Sequence, residues 1–323
     1  MIIKDIVHGE WEIIEDVLID LINSNALQRL KNISQQCLPI KYNSQAPFSR
    51  YDHSVGVMLL LRKLDANIEE QIAGLLHDIS HPTFSHLIDW ALGDPQKQDH
   101  QDNHYVEILV NSDIPSVLKK HGFDPEDFID VKKFSLLESD IPNLCADRID
   151  YCLRDLCSYG GKSISDEILN HLIVYNHQIV FDSELGAYSF ANEYMLLQRF
   201  VWGDDTHVAK FHLFADALKI ALNKNIISEN DFFGIEEGVL MKLENSGEEE
   251  ILRILSLLRN GLWLRYDGSK DILLKCKFRY IDPPILFGNK LKKVSDVFPI
   301  YNEILKIQKK HFGEERFVEV VSR

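Results

Sequence analysis

The chain has 323 residues, 45% of them hydrophobic, enough to fill one large domain or a main domain with a small appendage. Asp and Glu total 50 against 35 Lys and Arg, a net charge of −15, which disfavours long nucleic acid and leaves room for a small anion in a locally basic pocket. No run of eighteen apolar residues occurs, Met1-Ile2-Ile3-Lys4-Asp5 lacks a signal-peptide layout and the five cysteines form no CxxC pair, so a cytoplasmic protein with reduced thiols and no membrane partner is expected.

Ile3, Ile6 and Val7 before His8-Gly9, with Trp11, Ile13 and Ile14 after, predict a small hairpin turned at His8-Gly9. Apolar residues at threes and fours then predict helices over 15–23, 25–36, 50–64, 68–79, 83–92, 103–111, 114–121 and 138–156. Asp65-Ala66-Asn67 supplies turn and cap chemistry, and the polar stretch from Gly93 to Asp102 reads as a mobile loop. Alternation at Ile173, Tyr175, Ile179 and Phe181 predicts a β-hairpin over 172–190, followed by helices at 190–202, 206–224, 236–244 and 248–259. Leu273 to Phe287 reads as one or two strands broken at Pro283-Pro284, and a last helix covers 296–311. The fold class is therefore mainly α, with small hairpins. The expected division is a helical core over 1–225 and a mixed α/β lobe over 226–323.

The chemistry concentrates in Ile72-Ala73-Gly74-Leu75-Leu76-His77-Asp78-Ile79-Ser80-His81. An apolar helical stripe delivers an imidazole and a carboxylate at its end, and both are costly to bury without a partner such as a metal. Taken alone, His77-Asp78 could equally cap and hydrogen-bond a helix end. Its surroundings are rich in matching residues: Arg50-Tyr51-Asp52-His53 upstream, His81, His86 and His104 downstream, then Cys145-Ala146-Asp147-Arg148-Ile149-Asp150-Tyr151-Cys152-Leu153-Arg154-Asp155. His81 lies four residues past His77, although Pro82 bends or ends that helix. His86 and Asp89, three apart, can hydrogen-bond on a helix, which would raise the His86 pKa.

The order His53, His77-Asp78, Asp147 resembles the HD-domain metal-dependent phosphohydrolases. More narrowly, it resembles the deoxynucleoside triphosphate triphosphohydrolase branch, which includes the sterile-alpha-motif-and-HD-domain dNTP hydrolase. The similarity runs from Asp5-Ile6-Val7-His8-Gly9 through Ala26-Leu27-Gln28-Arg29-Leu30 to about residue 220. The resemblance implies an HD-domain helical core and His53, His77, Asp78 and Asp147 as metal ligands. That donor set suits Fe, Mn, Zn, Co or Ni, with room for additional Mg. A metal held there would lower the pKa of bound water towards ~7 and polarise a phosphoryl oxygen. The structural alternatives are His53 as a capping donor and Asp147 as an ion-pair partner of Arg148 or Arg29.

The resemblance also implies roles for the residues around the metal. His86 takes the leaving-group position in a relay with Asp89 and His104, with His81 nearby. Arg50, Arg148, Arg199 and Lys210 match phosphate-binding positions, Arg148 standing where the family has Lys. Tyr151 and Asp155 share the helical face of Asp147, for phosphate oxygen and sugar hydroxyl. Gln35 matches a sugar-contacting glutamine on the helix after Gln28-Arg29-Leu30. His207 falls where the family carries a sugar-packing tyrosine, and Asp204-Asp205 where it carries arginines. The expected function is therefore a phosphohydrolase acting on a small nucleotide, a dNTP being the first substrate to try, in a homo-oligomer. The alternatives are a phosphomonoesterase or phosphodiesterase on another nucleotide, or a catalytically inactive nucleotide-sensing module.

Overall fold

An N-terminal hairpin pairs β1 (Ile2–Asp5) with β2 (Gly9–Glu12), and Gly9 supplies the positive φ its turn requires. The computed structural model describes residues 1–42, 48–93, 100–266 and 272–322. Helices follow as α1 (Asp16–Ile22), α2 (Asn25–Arg29), α3 (Arg50–Lys63), α4 (Ile68–Leu76), α5 (Ile88–Leu92), α6 (His100–Asn111) and α7 (Ile114–Lys120). Next come α8 (Ala146–Ser158), α9 (Lys162–Asn170), a tight hairpin of β3 (Leu172–Tyr175) and β4 (Gln178–Phe181), then α10 (Glu184–Leu197) and α11 (Asp205–Asn223). The last part carries α12 (Glu236–Glu244), α13 (Glu249–Asn260), β5 (Leu262–Arg265), β6 (Ile272–Leu274), β7 (Pro284–Phe287), β8 (Lys290–Lys293), α14 (Val294–Val297), α15 (Pro299–Gly313) and β9 (Arg316–Ser322). The fold is mainly α, as expected. No helix among the described residues is long and apolar enough to cross a membrane.

Several expected elements are shorter because tertiary partners capture their ends. The helix expected over 25–36 stops at Arg29 and a single 3₁₀ turn. Ser34 then bridges Ser49, while Arg50 N donates to Ile33 O and Cys37 N to Ser34 O, so Gln35 lies in a turn and not on a helix. The helix expected over 68–79 ends at Leu76, and His77 to His81 run through turns. The helix expected over 138–156 begins only at Ala146, because Ala146 N and Asp147 N donate to Leu136 O and Leu137 O and hold the preceding chain open. The expected hairpin over 172–190 closes at Phe181, since Ser183 caps α10 by accepting from Gly186 N. Helix α9 and strands β5, β8 and β9 were not expected. The loop expected from Gly93 to Asp102 lies largely outside the described residues, and α6 already begins at His100.

Strands β3-β4-β7-β8 form one sheet and β5-β9-β6 another, so the C-terminal chain pairs with the middle of the sequence. One hydrophobic cluster joins α3, α4, α8 and α10 and recruits Ile281, Ile285, Val294 and Tyr301. The second gathers Leu38, Phe84, Leu87, Trp90, α11, α12 and α13, together with Leu274 and Val318. Each cluster draws on residues from both sides of position 225. Helix α3 is buried on nearly every face, from Ser54 to Leu61, which fixes the helix whose first turn carries Arg50 and His53.

Candidate metal centre

Ser49 opens α3 with a reciprocal cap: its hydroxyl accepts from Asp52 N, and its own N–H donates to the Asp52 carboxylate. This anchors the turn that carries His53, whose side chain is fully buried. His53 Nδ1 donates to Asp150 Oδ2 at 2.8 Å, and Nε2 faces Asp147 Oδ1 at 2.9 Å. At the end of α4, His77 Nδ1 donates to Gly74 O at 2.7 Å, which leaves Nε2 as the ring atom that can turn to a cation in the cluster. That atom is buried without a hydrogen-bond partner and lies 3.6 Å from Asp147 Oδ1. His53, His77 and Asp147 each offer a ligand atom within 4.8 Å of the others.

The electrostatics favour a cation at this point. Against the burial that would lower it, Asp78 and Asp147 hold His77 up at about 9. Burial opposes ionisation of Asp147, but His53 and His77 hold its carboxyl far below the usual range. An imidazole pair with a partly exposed carboxylate, and one orphaned ring nitrogen, fits a divalent metal. Asp78 borders the same space. Its Oδ1 lies 3.5 Å from His77 Nε2 and 3.1 Å from His81 Nε2, and its Oδ2 accepts from Arg50 Nη1 at 2.7 Å. Arg29 Nη2 donates to the carbonyls of Ile79 and His81, which holds the turn after the ligand pair.

A cavity of about 380 Å³ opens over the cluster, within the size range of small-molecule sites. Gln35, Arg50, His81, His86, Arg148, Tyr151, Asp155 and His207 all line it. Arg148 donates to the carbonyls of Asn143 at 2.6 Å and Ser139 at 3.2 Å, so it braces the loop before α8 and does not pair with Asp147. Tyr151 hydroxyl bonds Tyr194 hydroxyl at 2.6 Å. Asp155 accepts from Gln36 Nε2 at 2.6 Å and Trp202 Nε1 at 2.7 Å, and burial pushes it up to about 6 despite these bonds.

Other expected residues stand elsewhere. Arg199 lies beside the Phe200 ring, outside the cavity lining. Lys210 Nζ donates to Tyr42 O at 3.1 Å. His104 stacks on His100 with ring centres 4.5 Å apart and packs against Phe233, so no contact joins it to Asp89. Asp89 instead accepts from His100 N at 3.1 Å. His86 Nδ1 lies 3.7 Å from Asp89 Oδ2, yet its pKa is lowered, because burial and the charges of Arg50 and Arg279 outweigh the carboxylate. Asp204 caps α11 by accepting from Thr206 N and His207 N.

Sequence reasoning missed the network behind the cluster. Asp150, fully buried, accepts from His53, from His8 Nε2 at 2.7 Å and from Arg154 Nε at 2.7 Å, and Arg154 reaches on to Asp5. The four-residue spacing of Asp150 and Arg154 carried that signal; His8 read only as a turn residue. Glu138, which burial and Asp147 push up to about 8, groups with Cys145 and Asp147 in the same way. Lys277 and Arg279 also line the cavity, from a segment distant in sequence.

The HD domain family matches residues 50–155, from the first residue of α3 to Asp155. An uncharacterized protein, YdhJ of Bacillus subtilis, is 39% identical over 92% of each chain. The chain belongs to the HD-domain family of metal-dependent phosphohydrolases. Within this family it is 33% identical to the metal-dependent phosphohydrolase cns2 of Cordyceps militaris over 64% of this chain. It is 24% identical to a Dictyostelium discoideum protein named deoxynucleoside triphosphate triphosphohydrolase SAMHD1 homolog, over 80% of this chain. It spans 62% and 58% of those two proteins. The HD-domain fold recurs in the crystal structure of a phosphohydrolase from Bacteroides thetaiotaomicron, with a TM-score of 0.73 at 17% identity and full coverage of both chains.

Proposed function

We propose that this HD-domain protein hydrolyses a nucleotide phosphoester at the His53–His77–Asp147 cluster, with a dNTP, cleaved to deoxynucleoside and triphosphate, as the first substrate to test. The observation that carries the reading is His77 Nε2: buried, unpartnered, its tautomer set by Gly74 O, and aimed at Asp147 beneath a cavity lined with cations. His53, His77 and Asp147 would hold the metal, with Asp78 beside them. When bound, a divalent metal supplies Lewis-acid activation of water and neutralises phosphate charge.

The chain's own residues supply the rest. Arg50, fixed on Asp78 and on Ser85 Oγ at 3.0 Å, presents a guanidinium at the cavity wall. His86 is the proton donor to the departing oxygen. Burial keeps it neutral in the free protein, and an arriving phosphate charge would favour its protonated form. Tyr151 and Asp155, one turn apart on α8, face the same cavity and suit a sugar hydroxyl. The name of the Dictyostelium relative supports the dNTP choice. Arg199 and Lys210 outside the lining, and Asp204 used as a helix cap, favour a second reading as a phosphomonoesterase or phosphodiesterase on another nucleotide.

The test is incubation with Mn, Fe, Co or Mg and a panel of dNTPs, NTPs, nucleoside monophosphates and cyclic nucleotides, with product identification. Triphosphate release from a dNTP supports the first reading; orthophosphate release from a monophosphate, or opening of a cyclic nucleotide to a monophosphate, supports the second. No turnover of any of these with any metal would overturn both.

A further inference from the structure

The chain from Cys276 to Tyr280, after β6, runs along one wall of the cavity. Phe278 and Tyr280 stack at 5.7 Å and Phe278 meets Phe312 at 5.3 Å, on the hydrophobic side; Lys277 and Arg279, two apart, line the cavity. A buried glutamine holds this arrangement. Gln198, 1% exposed, donates from Nε2 to Lys277 O at 3.4 Å and accepts from Arg279 N at 3.3 Å. Gln198 opens the π-helical turn Gln198–Trp202, whose Val201 and Trp202 line the same cavity. An irregular turn and a distant segment are thereby joined by one amide.

The cations of the cavity wall come from two regions of the chain. Arg50 and Arg148 stand on the helices of the ligand cluster, the first paired with Asp78 and the second bonded to loop carbonyls. Arg199 and Lys210 are not in the lining. Lys277 and Arg279 complete the Lys and Arg side chains among the described lining residues, and they come from an element that holds none of the ligand cluster. Arg279, His86 and Tyr151 line the same cavity, and the Arg279 charge disfavours the protonated form of His86 in the free protein.

We propose that Lys277 and Arg279 form a phosphate-binding wall that takes the phosphoryl groups beyond the one at the ligand cluster, so that the substrate class is a polyphosphate ester. This rests on the phosphohydrolase reading of the cluster. Two centres of positive charge on different elements match an anion whose charge extends along a phosphate chain, whereas a single phosphoryl group would engage the cluster alone. Gln198 is a positioning residue: it touches no substrate and aims the wall through the backbone.

The test is calorimetric titration of the metal-loaded full chain with inorganic triphosphate and, separately, orthophosphate. Lys277→Gln/Arg279→Gln is expected to weaken triphosphate binding by about tenfold or more while changing orthophosphate binding by less than about threefold, since charge-assisted bonds are lost only to the distal groups. Gln198→Leu, which keeps both charges, should give a smaller loss with the same selectivity. No triphosphate binding by the wild type, equal losses for the two anions, or no loss would overturn the proposal, provided the variants keep the wild-type unfolding midpoint. Unchanged affinity in the variants of a protein that still hydrolyses phosphoesters sinks this inference alone. Triphosphate binding without turnover of any ester sinks the phosphohydrolase reading and leaves a polyphosphate-binding wall.

Discussion

Asp150 accepts from His53 Nδ1 at 2.8 Å and so turns the opposite nitrogen, Nε2, onto Asp147. A carboxylate behind a ligand imidazole fixes its tautomer and raises its basicity. The same carboxylate receives His8 and Arg154, tying the N-terminal hairpin to the back of the cluster. Asp150→Asn should therefore weaken metal binding by about 10–100-fold. The check is metal titration of the folded variant; wild-type metal affinity in D150N would rule out the positioning role.

Gly56 faces that network from α3. A Cβ built there would lie 1.7 Å from Arg154 Nη2 and 2.2 Å from Asp150 Oδ1, in side chains that are themselves buried and paired. Replacing Gly by Ala within a helix normally stabilises by about 1 kcal/mol. Here Gly56→Ala is expected to destabilise by about 3 kcal/mol or more, because a buried ion pair must shift or break. Urea unfolding measures the difference, and a stabilised variant would contradict the packing.

Metal removal gives a second stability prediction. A ligand present at about 100 times its Kd stabilises a folded protein by about 2.7 kcal/mol. Adding Mn or Co to chelator-treated protein should raise the unfolding midpoint and restore turnover. His77→Ala should lose both responses while remaining folded, since it removes the buried Nε2. A midpoint shift that survives in this variant would place the metal elsewhere.

His207 provides a pH signature. Burial, then the Lys210 charge, pulls it down to about 4 from its ordinary value near 6.5. The unfolded chain thus binds more protons between these values, and stability falls as pH drops from about 6.5 towards 4. His207→Gln should flatten that part of the stability–pH profile relative to the wild type. Identical slopes would show that His207 titrates normally. At neutral pH this histidine carries no charge, which suits the sugar or base side of the cavity more than a phosphate.

Much of the fold was legible because helices advertise themselves locally. The apolar stripes of α3 and α4 and the turn at Asp65-Ala66-Asn67 depend on neighbours a few residues away. Strands β5 and β9 pair with each other from distant parts of the chain, so no local pattern announced them, whereas β8 turns straight back onto β7 at Gly288-Asn289, a short-range signal that sequence reasoning missed. The start of α8 failed for a related reason: backbone bonds to Leu136 and Leu137 overrule the helical periodicity of 138–145.

The sequence by itself determined the mainly α fold and, through its resemblance to the HD-domain family, the expectation that His53, His77, Asp78 and Asp147 gather; the structure groups His53, His77 and Asp147, with Asp78 beside them. Only the tertiary structure decided which charges face the cavity. Arg50 and Arg148 reach it with partners of their own, Arg199 and Lys210 do not line it, and Lys277 and Arg279 enter from a segment more than a hundred residues beyond Asp147. A side chain's direction depends on what packs behind it, as Gln198 does for 277–279 and Asp150 for His53, and that partner is set by the folded chain as a whole.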